Sequence, residues 1–142
     1  MLRAERVRFA GVLGQDVLVD VYRMVDLFVM PSSGEGFGIA FLEAMACGTP
    51  ALGLAAGGAV DAFADGEFGA MASETEFAAV LARLLATPRP DPHALAAAVR
   101  SRLGRAAFAT QVSNIMRRIA RAAAEPTVPD CGSYFSGLHA EL

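Results

Sequence analysis

Residues 31 to 50 read PSSGEGFGIAFLEAMACGTP, and they hold the side chains best suited to chemistry in the chain. Three glycines alternate at Gly34, Gly36 and Gly38, and two glutamates, Glu35 and Glu43, stand with seven residues between them. Glycines at such spacing let the backbone take positive φ and approach a ligand closely. The apolar stretch that follows predicts a helix, whose first amides have no intrahelical acceptor and carry partial positive charge. The amides near Phe37, Gly38 and Ile39 are therefore placed to hold hydroxyls or an anion. Glu43 falls in an otherwise apolar helix, so its carboxylate needs a partner. An ionised carboxylate accepting two vicinal hydroxyls binds a sugar or ribose diol by charge-assisted hydrogen bonds. The same residues also admit a plain structural reading, in which Glu43 caps or pairs with an arginine and the glycines make a tight turn.

The elements that must position this segment are short and alternate in type. Val7 to Ala10, closed by Gly11, reads as a buried strand. A helix is predicted from Asp16 as N-cap, with Val17, Val21, Met24 and Val25 as its apolar face. Leu27 to Met30 is an unbroken apolar run stopped by Pro31, the pattern of a parallel strand covered on both sides. Helix Ile39 to Cys47, strand Ala51 to Leu54, a short helix around Val60 to Ala64, a turn at Asp65-Gly66 and a weak strand from Phe68 to Ala72 follow. Beyond Glu74 the chain turns helical, over Phe77 to Ala86, Ala94 to Leu103 and Phe108 to Ala124. Alternation of this kind implies an α/β fold, a Rossmann-like parallel sheet with flanking helices and a helical C-terminal portion. The segment 125–142 reads as a poorly ordered tail.

Composition narrows the function. With 142 residues the chain is about one domain long, and hydrophobic residues make up 54% of it, which demands a real core. The net charge is -3 and the arginines are scattered, so no nucleic-acid footprint is present. All 12 basic residues are arginine, which removes mechanisms that need a Schiff-base or phosphate-loop lysine. The two cysteines, Cys47 and Cys131, have no metal-ligand spacing; Cys47 reads as a buried inert thiol, and a reduced, cytoplasmic setting is expected. No run reaches about 18 uninterrupted apolar residues, so no membrane span is expected. No Asp-X-Asp pair supports a metal-bridged diphosphate. His93 and His139 read as exposed bystanders, and Tyr22 and Phe28 as packing residues. Arg117, Arg118 and Arg121 form a basic helix face that admits either solvation or peripheral contact with an anionic membrane or lipid-linked acceptor.

Taken whole, the string resembles the signature of retaining GT-B glycosyltransferases, the glycosyl transferases group 1, in which two glutamates spaced by seven residues follow a strand ending in Pro-Ser. The likeness extends over Val7-Arg8-Phe9 with Gly11, the Tyr22 helix, Asp26 to Ser32, Glu43 to Pro50, and Gly57-Gly58 through Asp65-Gly66 to Gly69. It covers about Val7 to Ala124 and implies that 1–124 are part of the C-terminal, nucleotide-sugar-binding domain of such an enzyme. On that resemblance Glu35, as the catalytic residue, and the Phe37, Gly38 and Ile39 amides face the donor sugar and its diphosphate. Glu43 binds the ribose hydroxyls, and Gly34 and Gly36 keep the loop open. The donor is UDP- or GDP-linked, and no further cofactor is implied.

Val60 and Asp61 depart from the family's proline and glutamate. The family's upstream strands, with their basic pair for the diphosphate, and its acceptor domain are not found; Arg3, Arg6 and Arg8 do not supply that pair. The expectation is a donor-side portion that needs an acceptor domain from elsewhere. Competing readings are a phosphorylase, disfavoured in its pyridoxal form by the missing lysine, a glycoside hydrolase using Glu35 and Glu43, and a catalytically inactive fragment that keeps the fold or nucleotide binding.

Overall fold

A computed structural model describes residues 7–64 and 66–124. Among the described residues nine elements follow one another: α1 (Gln15–Met24), β1 (Phe28–Met30), α2 (Ile39–Ala46), β2 (Ala51–Leu54), α3 (Ala59–Ala62), β3 (Ala70–Ala72), α4 (Phe77–Ala86), α5 (Pro92–Leu103) and α6 (Arg105–Ala124). The three strands form one parallel sheet in the order β1-β2-β3. Phe28 pairs with Ala51 and Met30 with Gly53, while Leu52 pairs with Ala70 and Leu54 with Ala72. This is the parallel α/β sheet with flanking helices that the alternation of apolar runs predicted.

Residues of β2 are buried throughout, because the strand is central and covered on both faces; the run Ala51 to Leu54 is apolar for that reason. Above it, Phe41 lies between Phe28, at 5.7 Å between ring centroids, and Phe63, at 4.7 Å. Met45, Ala59, Ala62, Phe68 and Val99 complete the cluster. Offset and edge-on aromatic packing of this kind adds to the burial itself, which is worth about 25 cal/mol for each Å² of apolar surface removed from water.

Four expectations are corrected. Val7 to Ala10 is not a strand: no hydrogen-bonded neighbour pairs with it among the described residues, and Phe9 is 97% exposed. An apolar run becomes a strand only where a ladder receives its amides. The first helix starts from Gly14, which offers no side-chain cap, with Asp16 in the first turn. Its inward face is also rotated from the expected one. Of the expected face, Val21 and Val25 are partly buried but Val17 and Met24 are exposed, and Tyr22, buried, with Leu18, partly so, takes their place. In α5, Asp91 caps the helix by accepting from the His93 amide at 2.9 Å with Pro92 in the first turn, so the helix opens two residues before Ala94.

The chain divides into two compact units at Arg105–Ala106. The second unit's described part is the body of α6, an amphipathic helix. Phe108, Val112, Ile115, Met116 and Ile119 share one face and are exposed, with Arg117 and Arg121 on the other. Among the described residues no helix is long and apolar enough to cross a membrane. Asp65, Cys131, His139, Arg3, Arg6 and the segment read as a tail lie outside the described residues.

Candidate functional site

The loop between β1 and α2 is fixed by glycines, each in a different way. Gly38 is the N-cap of α2 and takes φ 76° and ψ 44°, the left-handed region, which a side chain would make costly. The first turn then closes from the Phe41 amide onto the Gly38 carbonyl at 3.0 Å. Upstream, the loop rests on a second glycine pair. The Gly58 amide donates to the Glu35 carbonyl at 2.9 Å. A Cβ on Gly58 would run into Phe37 Cα and stand 2.5 Å from the Gly36 carbonyl; one on Gly57 would be 2.9 Å from the Glu35 carbonyl. The backbone of 57–58 is thus packed directly beneath residues 33–37.

Gly34 and Gly36 behave otherwise. Neither adopts positive φ, and a Cβ at either would meet nothing within 4 Å. Of the three alternating glycines, only Gly38 uses the conformational freedom expected of all three. The other two leave open space on the outer side of the loop. Glu35 is half-buried there, and Phe37 and Ile39 are exposed, Ile39 at 65%.

Helix α2 divides its faces. Phe41, Ala44 and Met45 point into the core, while Glu43 lies one turn after Ile39 on the flank left outside, about 6 Å along the axis. The partner that Glu43 needs is Tyr22, whose phenol donates to Oε2 at 3.3 Å; among the described residues no arginine pairs with it. Burial, the charge of Glu43 and this hydrogen bond, with Cys47 adding, push the Tyr22 phenol above the ordinary tyrosine value of 10.0. Tyr22 therefore stays a neutral donor across the neutral range. Its own carbonyl accepts the hydroxyl of Thr49, a wholly buried side chain. No hydrogen bond or ion pair joins Glu35 to Glu43 among the described residues; the first lies in the β1–α2 loop and the second on the flank of α2.

A cavity of about 300 Å³ lies at the other end of α2, with Arg23, Arg89, Arg100, His93 and Cys47 in its wall. Two of its arginines take up carbonyls at the end of the helix. Arg100 donates to the Ala46 carbonyl at 2.9 Å and Arg89 to that of Gly48 at 3.5 Å, so these cations sit where the α2 dipole is negative. Cys47 is partly buried and has no disulfide partner among the described residues. The side-chain wiring of Tyr22 and Thr49 was missed in the sequence, where Tyr22 reads as packing alone. The signal was present: Leu18, Tyr22 and Val25 share one helix face, which carries a hydroxyl inward to where it must find an acceptor.

Comparison with known proteins bears on this arrangement. Residues 2–103 match the model of the family described as glycosyl transferases group 1. A D-inositol 3-phosphate glycosyltransferase of Thermomonospora curvata is 41% identical over 100 residues, covering 68% of this chain and 23% of that protein. One from Streptomyces avermitilis is 41% identical over 104 residues, 73% of this chain and 21% of the other. One from Mycolicibacterium smegmatis is 46% identical over 68 residues, 48% and 16%. The matched stretch spans about a quarter or less of the length of these relatives.

Proposed function

Because the chain belongs to the glycosyl transferases group 1 family, we propose that residues 33–43 form the donor side of a transferase. In this reading it moves a hexose from a UDP- or GDP-linked sugar to an acceptor hydroxyl with retention at the anomeric carbon. The observation that carries it is the loop seated on Gly57-Gly58, which ends in a left-handed Gly38 and opens α2 with Glu43 on its outer flank.

The chemistry follows from the parts. The amides of Phe37, Gly38 and Ile39 and the positive end of α2 meet the diphosphate as it accumulates charge on leaving. Gly34 and Gly36 leave room for the donor, Glu35 lies against its sugar, and Glu43 accepts the ribose diol. The acceptor oxygen bonds to the anomeric carbon while the bond to the nucleotide diphosphate breaks; the leaving oxygen keeps the electron pair and the acceptor's proton passes to the departing diphosphate. The reading assigns no acceptor-side group to residues 7–124. The names of the relatives make an inositol phosphate the first acceptor class to assay.

The test is calorimetric titration of the folded chain with UDP, GDP, ADP and their glucose or mannose conjugates, beside Glu43→Ala. One nucleotide series binds and the variant weakens it at least tenfold, about 1.4 kcal/mol. A folded chain that binds none of them, or a Glu43→Ala variant that binds as wild type does, refutes the assignment.

A further inference from the structure

Tyr22 is tied into the site by more than packing. The residue is 6% exposed and its ring meets Phe28 edge-on, with centroids 5.5 Å apart. A phenylalanine would satisfy both observations. Among the described residues the hydroxyl is accounted for only by Glu43, toward which it points across the gap between α1 and α2. The base of the tyrosine is held as well, since its carbonyl, in the last turn of α1, takes the Thr49 hydroxyl. The donor is thus fixed at both ends, whereas the acceptor sits on a half-open helix flank with several rotatable bonds.

A carboxylate offers about four lone-pair sites. One at Oε2 is taken by Tyr22, and among the described residues no other side chain or amide takes the rest. A glutamate so tethered presents a fixed pair of oxygens, and vicinal hydroxyls require their acceptors at set positions and angles. An untethered one would have to be ordered when the ligand arrives.

We propose that Tyr22 is a positioning residue, whose phenol O–H holds the Glu43 carboxylate in the orientation that accepts the vicinal diol of a nucleotide ribose. The inference rests on the reading of Glu43 as the diol acceptor given above. It separates the ring of Tyr22, which belongs to the core, from the hydroxyl, which belongs to recognition.

The experiment compares the whole chain with Tyr22→Phe, by calorimetry, against UDP and GDP and against their 2′-deoxy counterparts. Removal of the hydroxyl weakens the ribonucleotide about five- to tenfold and leaves the deoxynucleotide within about twofold, because the latter has no diol for Glu43 to read. A merely structural tyrosine weakens both alike, and that result, or no change in either, overturns the proposal while leaving the donor site standing. If the wild-type chain binds no nucleotide, donor reading and proposal fall together. A second measurement needs no ligand. The alkaline phenolate titration, with Tyr22→Phe as the baseline that isolates Tyr22 from Tyr134, shifts to lower pH in Glu43→Gln. An unshifted titration means that the phenol does not face the carboxylate, and the proposal fails on that ground.

Discussion

Replacing Gly58 by alanine tests whether the loop of the site is truly seated on the turn beneath it. The residue has φ -70°, so an added methyl brings no backbone strain; any effect comes from what it strikes. Its Cβ would penetrate Phe37 Cα and crowd the Gly36 carbonyl and the Phe37 nitrogen at 2.5 Å. All three are backbone atoms and cannot rotate away as a side chain would. Overpacking of this kind costs about 1–3 kcal/mol. Displacing the loop also breaks the Gly58 amide bond to the Glu35 carbonyl, adding about 1 kcal/mol. The stiffer unfolded chain returns about 0.4–1 kcal/mol. The net loss is about 2–3 kcal/mol, or a melting temperature about 10–20 °C lower for a unit of this size. Thermal unfolding followed by far-ultraviolet circular dichroism measures it, with Gly36→Ala as the control. That methyl meets nothing within 4 Å, so the control melts within about 0.5 kcal/mol of wild type. If Gly58→Ala and Gly36→Ala melt together, the loop does not lie on the 57–58 backbone and the close approach is not what that glycine is for.

Thr49→Val keeps the shape of a wholly buried side chain but strips the hydroxyl from the Tyr22 carbonyl; urea unfolding shows a loss of about 1–3 kcal/mol, while Thr49→Ser, which keeps the donor, retains more of it. Stability also has an alkaline limb. The folded phenol of Tyr22 is raised above the unfolded value of 10.0, so its contribution is complete below about pH 10 and is lost as pH rises through the folded value. Tyr22→Phe removes that part of the loss, and denaturation at stepped pH from neutral to alkaline detects the difference.

The parallel sheet was legible because strands covered on both faces leave unbroken apolar runs, as at Phe28 to Met30 and Ala51 to Leu54. Helix α2 was legible for a related reason, since Gly38 and Gly48 punctuate an apolar stretch at both ends. What escaped was relational. Val7 to Ala10 has strand-like residues but no ladder, and the alternation of Gly34, Gly36 and Gly38 gives no hint that only the third needs left-handed backbone. Likewise Gly57-Gly58 shows nothing, as a string, of the loop above it. The phase of α1 was misjudged because counting apolar residues favoured Val17 and Met24 over a tyrosine whose ring is as buriable as theirs. Glu43 was correctly seen to need a partner. Its identity, a hydroxyl 21 positions upstream, depended on how two helices meet.

The order of strands in the sheet is the order in which they occur along the chain. Each strand therefore docks against the one made just before it, Ala51 reaching back to Phe28 and Ala70 to Leu52. A polypeptide emerging from the ribosome can add β2, and then β3, to a neighbour already synthesised. Parallel sheets close slowly when their partners are distant in sequence. Sequence-adjacent partners let β2 and β3 pair in the order of their synthesis, and the β1–α2 loop gains its support only when the 57–58 turn has followed it out.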